Sequence, residues 1–203
     1  MNLPILTLCC ALTIAEPQEI NIPTQTIANC VEQCYNNCSE IVEDALENIA
    51  YVELPVTTEY EIVNHSGMKS YERHTTLKRG HQYLLQQYAT TDAYGFRGIN
   101  GRYLCAVGTR FNMPVGQYFD AILENGTIIP CIVGDIKADV HTDNTNTFTK
   151  NGCCLEFIID YKVLDNTVKK MGDCSYLSDE FNSKVVKFVV YDELNVVTEI
   201  QNY

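Results

Sequence analysis

The chain has 203 residues, of which 46% are hydrophobic and 20% are charged. This length and apolar content exclude an intrinsically disordered chain, and they predict one domain of ordinary size with an extension. With 14 Lys and Arg against 26 Asp and Glu, the net charge of -12 argues against a nucleic-acid partner, because binding to phosphates needs a basic surface. The 13 Tyr against no Trp leave stacking on sugar rings open.

The N-terminal segment, residues 1–15, is uncharged and mainly apolar. It is too short to span a bilayer, but it has the length of a signal-peptide core, and Thr13-Ile14-Ala15 suits a small-residue cleavage site. We therefore expect residues 1–15 to be a signal peptide and the protein to be secreted or associated with the cell wall.

Residues 16–55 are predicted to form an acidic helical extension. Apolar residues between Ile27 and Ile49 keep roughly helical spacing, residues 40–47 are strongly acidic, and Pro55 ends the helix. An amphipathic helix outside the main domain usually acts as a spacer or oligomerises. Self-association through this helix is therefore one of two expected roles.

Cysteine is abundant, with ten residues in the chain. Removing Cys9 and Cys10 with a signal peptide leaves eight, an even number that is compatible with disulfides of unknown connectivity. Cys30, Cys34 and Cys38 would form one stripe on a helix, and no Cys-x-x-Cys pair indicates a zinc site. Buried free thiols or disulfides are favoured over a metal, and no cofactor is expected.

The main domain, residues 56–203, is predicted to be mainly β (α+β). Residues 56–63 alternate as an edge strand would, and a short helix is expected to end at Tyr88. Three Asn-Gly pairs follow, each of which tolerates the positive φ angles of a tight hairpin, and they lie at Asn100-Gly101, Asn125-Gly126 and Asn151-Gly152. We expect a small β-barrel of six or more strands over residues 90–192, with a helical turn at 165–171 and a central closing strand at 185–191.

A charged row follows the apolar residues 128–133. If residues 128–143 form one extended strand, Asp135, Lys137, Asp139, His141 and Asp143 share one face, with neighbours about 6.6 Å apart. Carboxylates at that spacing can share a substrate or an ion and perturb each other's proton affinity. The alternative is the solvated outer face of an amphipathic strand.

Residues 106–109 (Ala-Val-Gly-Thr), 113–116 (Met-Pro-Val-Gly) and 133–135 (Val-Gly-Asp) carry a resemblance to a known family. Their order resembles the 3D domain, a small double-psi β-barrel of bacterial cell-wall proteins that is related to the barrel of membrane-bound lytic transglycosylase A. The chain is also similar to uncharacterised proteins of Gram-positive bacteria and their phages at residues 101–103, 124–127, 135–141 and 171–173.

The resemblance implies a double-psi-like barrel that cleaves peptidoglycan glycan strands. Matched position by position, Asp135 takes the place of the catalytic acid and Glu156 that of a later acidic residue. The chain departs from the family where Gly108 replaces an Asp and where Ile136-Lys137-Ala138 replaces Thr-Gly-Gly. These departures favour the alternative, a non-catalytic structural or carbohydrate-binding barrel of a phage or cell surface.

A lytic transglycosylase needs one carboxylic acid, held in a partly buried position that raises its pKa. Asp135 suits this role because it follows the apolar residues 132–134, and Gly134 is expected to let a glycan approach closely. Lys137, Asp139, His141 and Asp143 are predicted to bind substrate. A metal is not expected there, because one strand rarely supplies a complete ligand shell.

Overall fold

The computed structural model describes residues 56–202, which form a mainly β fold with short helices. The strands are β1 (Thr57–Glu61), β2 (Ser70–Arg73), β3 (Thr90–Thr91), β4 (Arg97–Ile99), β5 (Arg102–Gly108), β6 (Gln117–Leu123), β7 (Ile128–Lys137), β8 (Glu156–Ile159) and β9 (Val185–Asn195). The helices are α1 (Gly80–Tyr88), α2 (Asn166–Met171) and α3 (Val196–Gln201), and short 3-10 turns lie at His74–Thr76, Thr109–Phe111, Asp139–His141 and Cys174–Tyr176. The predicted signal peptide and acidic helix, residues 1–15 and 16–55, lie outside the described residues.

All nine strands belong to one mixed sheet. The order is β1-β9-β6-β7-β5-β4-β3, and β8 pairs with both β5 and β2. The β5–β7 and β2–β8 pairs are parallel, whereas the other pairs are antiparallel. Over residues 56–202 the two ends of this path do not pair with each other, so the mainly β class is confirmed and closure into a barrel is not.

Two of the three predicted Asn-Gly hairpins are confirmed. Asn100-Gly101 joins β4 to β5 with φ angles of 51° and 76°, and Asn125-Gly126 joins β6 to β7 with Gly126 at φ 86°. The third prediction is wrong. Asn151-Gly152 lies in a loop turn in which Thr149 N–H donates to the Cys153 carbonyl at 2.8 Å, and β8 pairs with the distant strands β2 and β5 and not with the segment directly before this turn.

The other predicted elements of the main domain lie close to their expected positions. β1 is an edge strand, α1 ends at Tyr88, α2 occupies the predicted helical turn, and β9 lies between β1 and β6. Asp165 starts α2, because its carboxylate accepts from the N–H groups of Thr167 and Val168. Among the described residues, no helix is long and apolar enough to cross a bilayer.

The sheet separates two apolar clusters. The larger contains Cys105, Val133 and Phe157, whereas the smaller contains their chain neighbours Leu104, Ile132 and Ile158. Alternate residues of a strand point to opposite faces, so the clusters lie on opposite sides of the central strands. Helix α1 covers the smaller cluster with Leu85, which is fully buried.

A β-bulge at Gly134 changes the direction of the side chains at the end of β7. The register pairs Cys105 with Val133 but Ala106 with Asp135, so Gly134 is the extra residue on the β7 strand. Without the bulge, Asp135 would face the larger apolar cluster; with it, Ile136 packs there instead. The bulge therefore places Asp135 on the face that α1 covers.

Gly134 itself is buried by protein atoms. A Cβ at this position would lie 2.3 Å from Ile158 Cδ1 and 3.1 Å from Leu104 Cβ. The expectation that Gly134 leaves space for a glycan is therefore wrong. The missing side chain makes room for the close packing of β5, β7 and β8 at the bulge.

The predicted long charged strand ends earlier than expected. β7 stops at Lys137 because its parallel neighbour β5 stops at Gly108, which leaves no ladder to continue. Asp139 to His141 then form a 3-10 turn. The prediction that Asp135, Lys137, Asp139, His141 and Asp143 share one strand face is correct only for Asp135 and Lys137, which both follow the bulge on β7.

Candidate functional site

Asp135 and Glu156, the two predicted catalytic residues, flank one small residue. Ala106 on β5 pairs with Asp135 on β7 and with Glu156 on β8. Paired residues point to the same face, and the short Ala106 side chain leaves space above it. The sheet thus brings the two carboxyl groups to one face, although 20 intervening residues separate them in the sequence. We call Asp135, Lys137 and Glu156 on this face the Asp135 row.

Lys137 lies within this row and joins two acidic side chains. Its Nζ donates to Glu72 Oε2 at 3.1 Å and forms an ion pair with Glu156. The three side chains are largely shielded, with relative exposures of 16% for Lys137, 19% for Glu72 and 12% for Glu156. Lys137 is therefore the cation that allows two carboxylates to stay close in a partly dry environment.

Gln82 contacts the carboxyl group of Asp135. It lies on α1, and its side-chain amide donates a hydrogen bond to Asp135 Oδ1. Leu85, one turn further along the helix, anchors α1 in the smaller apolar cluster. The packing of α1 thus fixes the position of the amide that contacts Asp135.

Asp135 has the electrostatics of a proton donor. Burial raises its pKa, and the negative charge of the nearby Glu72 raises it further, to about 6. Hydrogen bonds from the Ile136 backbone and from Gln82 act in the opposite direction. A carboxyl with this pKa keeps a usable protonated fraction near neutral pH.

Glu156 differs from Asp135 because a cation is bound to it. Burial raises the pKa of Glu156, and Lys137 partly opposes that shift. For Lys137, burial would lower the pKa, but the attraction of Glu156 and Glu72 raises it overall. The geometry suits Glu156 to holding Lys137 in place, and its predicted catalytic role remains a prediction.

The remaining predicted substrate-binding residues lie around the row in different settings. His141 is exposed and lines a pocket of about 320 Å³ together with Lys137, Lys150 and Glu156. The pocket offers charged and hydrogen-bonding groups beside the acidic row. Its position fits the predicted contact of His141 and Lys137 with a polar ligand.

Asp139 and Asp143 have mainly structural contacts. Asp139 accepts a hydrogen bond from Thr109 Oγ1 at 2.6 Å, which ties the two neighbouring 3-10 turns together. Asp143 accepts from the N–H groups of Thr147 and Phe148 at 3.0 and 3.1 Å. Partial burial opposes the shift, but hydrogen bonds from Thr145, Phe148 and Thr147 lower the pKa of Asp143. Neither side chain joins the row around Asp135.

No group of three His, Cys, Asp or Glu side chains within residues 56–202 is arranged to hold a metal ion. The cysteines of this part of the chain, Cys105, Cys131, Cys153, Cys154 and Cys174, are free and buried. Burial raises the pKa of Cys153 to about 12, so its thiolate is scarce at neutral pH.

Sequence reasoning missed Glu72 and Gln82. Each belongs to a segment with no acidic motif, and each reaches the row only through long-range packing of β2 and α1. The one local signal is the spacing of Gln82 and Leu85, which places a polar group beside an apolar anchor on one helix face.

Comparison of the chain with protein-family models, with curated proteins and with solved structures gave no match.

Proposed function

We propose that the protein cleaves the glycan strands of peptidoglycan in the manner of a lytic transglycosylase, with Asp135 as the general acid. The observation that carries this proposal is the setting of Asp135, whose carboxyl is half-buried beside Glu72 and Gln82 and has a pKa of about 6. A secreted or cell-wall location follows from the same proposal, as does a phage or Gram-positive bacterial origin.

We propose that the fold is a double-psi-like barrel. Support comes from the parallel β5–β7 and β2–β8 pairs, whose strands are not neighbours in the sequence. These pairings bring distant segments of the chain together. Glu72 on β2 thereby comes close enough to Asp135 on β7 to raise its pKa.

The reaction begins with protonated Asp135. Its proton passes to the glycosidic oxygen as the bond to the anomeric carbon breaks, and the carboxylate then takes the proton of the sugar's own hydroxyl as that oxygen closes on the same carbon. The sugar leaves as an anhydro product and no water is consumed. One carboxyl group with a pKa near the working pH is sufficient for both steps.

Glu72, Lys137 and Glu156 have supporting roles in this mechanism. The charge of Glu72 helps to raise the pKa of Asp135 and so increases its protonated fraction, while Lys137 offsets the repulsion between Glu72 and Glu156. His141 and Lys137 contact the sugar from the adjacent pocket. Because Glu156 is bound to Lys137, we assign it a positioning role in the reaction.

The test is to incubate the full chain with purified peptidoglycan and to search for anhydro-muropeptides by mass spectrometry. Asp135→Asn should abolish product, because the amide keeps the shape of the side chain but cannot donate the proton. Asp179→Asn changes an exposed carboxylate and is the matched control. Undiminished product from Asp135→Asn protein would refute the assignment.

The second candidate is a non-catalytic carbohydrate-binding or structural module. It is favoured by the hydrogen bond from Gln82 that already occupies one oxygen of Asp135, and by the ion pair that occupies Glu156. Sedimentation with insoluble peptidoglycan separates the candidates. Binding without anhydro product, unchanged by Asp135→Asn, would support the module.

A further inference from the structure

A second polar pocket lies away from the Asp135 row. It is formed by the loop before β2, the 3-10 turn at Cys174–Tyr176 and the segment before β9, and its lining includes Ser66, Glu124, Asp173, Ser175 and Lys184. It shares no lining residue with the pocket beside Glu156. The mechanism proposed above does not use this pocket.

Lys69 lies beneath this pocket and is fully buried, with 0% relative exposure. Its Nζ is 2.9 Å from Ser175 Oγ, 3.4 Å from the Gly67 carbonyl oxygen and within hydrogen-bonding distance of the Ser183 carbonyl oxygen. No carboxylate of residues 56–202 lies within ion-pair distance of it. The lysine is therefore surrounded by neutral oxygens.

In this structure Lys69 donates to all three oxygens. A neutral amino group has two N–H donors and one lone pair, so deprotonated Lys69 can keep its bonds to the Gly67 and Ser183 carbonyls while the Ser175 hydroxyl turns to donate to it. Carbonyl oxygens can only accept, whereas a hydroxyl can do either. Among the three contacts, Ser175 is therefore the only group able to give its proton to Lys69.

Charge around Lys69 agrees with this arrangement. Burial lowers the pKa of Lys69, whereas Asp173 and the thiols of Cys174, Cys153 and Cys154 act to raise it. The Asp173 carboxylate is directed to the backbone, since its Oδ1 accepts from the N–H groups of Lys69 and Ser175. The net shift of the Lys69 pKa is downward, so the amine loses its proton more readily than a solvated lysine does.

We propose that Ser175 and Lys69 form a nucleophile and general-base pair that hydrolyses a small polar carboxylic ester or amide. Ser175 is partly exposed on the pocket while Lys69 is shielded behind it, so the nucleophile can reach a substrate and the base is kept from solvent. The contact of 2.9 Å is within the range that proton transfer requires.

The reaction balances with water as the only co-reactant. Lys69 takes the hydroxyl proton as Ser175 Oγ attacks the carbonyl carbon, and the alcohol or amine leaves with the proton of the Lys69 ammonium. Water then attacks the acyl-Ser175 ester, one of its protons passes to Lys69, and Lys69 returns a proton to Ser175. The products are a carboxylic acid and an alcohol or amine.

The pocket also offers a positive charge for the oxyanion. Lys184 lines it, and within the described residues its ammonium makes no ion pair. Glu124 and Asp173 line the pocket as well, which favours a substrate with hydroxyl or amino groups over an apolar acyl chain.

The experiment uses a fluorophosphonate probe on the folded full chain, followed by mass spectrometry of the labelled peptide. Ser175 Oγ should displace fluoride from phosphorus and carry the label. Ser175→Ala should remove it, and Lys69→Met should slow labelling by about 100-fold or more, the range for loss of a general base. Ser178→Ala and Lys162→Met alter exposed residues of the same types and should label at the rate of the unchanged protein.

Absence of label on the unchanged protein, or label that survives Ser175→Ala, would overturn the proposal. If Lys69→Met does not fold, the pH dependence of labelling in the unchanged protein tests the proposal. The labelling rate should rise with pH, with a midpoint below the ordinary lysine pKa of 10.5. A rate that rises only above that value would equally overturn it. None of these results depends on glycan cleavage by Asp135.

Discussion

Two shielded lysines of the same domain are stabilised in opposite ways. Lys137 contacts the carboxylates of Glu72 and Glu156, which raise its pKa, whereas Lys69 contacts a hydroxyl and two carbonyls and has a lowered pKa. A buried charge needs an opposite charge, whereas a neutral amine needs only hydrogen-bond partners. Lys137 is therefore suited to holding acids together, and Lys69 to accepting a proton.

Replacement of Lys137 by Met should have the largest effect on stability. Glu72 and Glu156 would be left without their cation, and unpaired shielded charges cost about 3 kcal/mol or more. The free energy of unfolding, measured by urea denaturation at pH 7, should fall by about that amount. At pH 4 the loss should be less than half as large, because protonated carboxyls no longer repel.

Lys162→Met is the control for this substitution, since Lys162 is exposed and its loss should change stability by less than about 0.5 kcal/mol. Equal losses at pH 7 and pH 4 for Lys137→Met would contradict the assignment of Lys137 as the compensating cation.

Replacement of Lys69 by Met should lower the free energy of unfolding by less, about 2 kcal/mol, because it leaves neutral acceptors without a donor but leaves no charge unpaired. The pH dependence should also differ. A folded-state pKa below 10.5 means that the unfolded chain binds more protons between that lowered pKa and 10.5, so this lysine adds stability as pH rises through that window. The difference between Lys69→Met and the unchanged protein should therefore widen above neutral pH. A difference that narrows there would show a charged Lys69.

Local signals account for the parts of this fold that the sequence predicted. Asn100-Gly101 specifies its hairpin through two adjacent positive φ angles, and Asp165 specifies the start of α2 through its own carboxylate. Both signals act within a few residues. By contrast, at Asn151-Gly152 only Gly152 has a positive φ angle, and β8 after it pairs with distant segments and not with the residues before the turn.

The candidate site was predictable only in part for the same reason. Asp135 and Glu156 were identified by resemblance, and the sheet register places them on either side of Ala106. Glu72 and Gln82 come from other elements and share no pattern with them. The bulge at Gly134 is not predicted, because a Gly between apolar and charged residues does not by itself show that it will be left out of the strand pairing.

The third predicted effect concerns Asp135, whose raised pKa should change the free energy of unfolding at pH 7 by about 1 kcal/mol after allowance for solvent screening. Its pKa is raised from 3.8 to about 6, so the folded state binds more protons than the unfolded chain between those values and loses stability as pH rises through them. Asp135→Asn removes this loss. The variant should be the more stable protein at pH 7 and match the unchanged protein at pH 3. Equal stability at both pH values would show an ordinary, solvated Asp135.

The smallest change concerns Gln82, whose amide hydrogen bond stabilises the charged form of Asp135. Gln82→Leu keeps the size of the side chain but removes the donor, so the pKa of Asp135 should rise above about 6 by roughly half a unit to one unit. A carboxyl-detected NMR titration measures this directly, without any activity assay. Gln87→Leu, an exposed change on the same helix, should leave the pKa where it is. If Asp135 is the acid of glycan cleavage, the alkaline limb of the pH profile should move upward with the pKa. An unmoved pKa in Gln82→Leu would show that the Gln82 hydrogen bond does not help to set the proton affinity of Asp135.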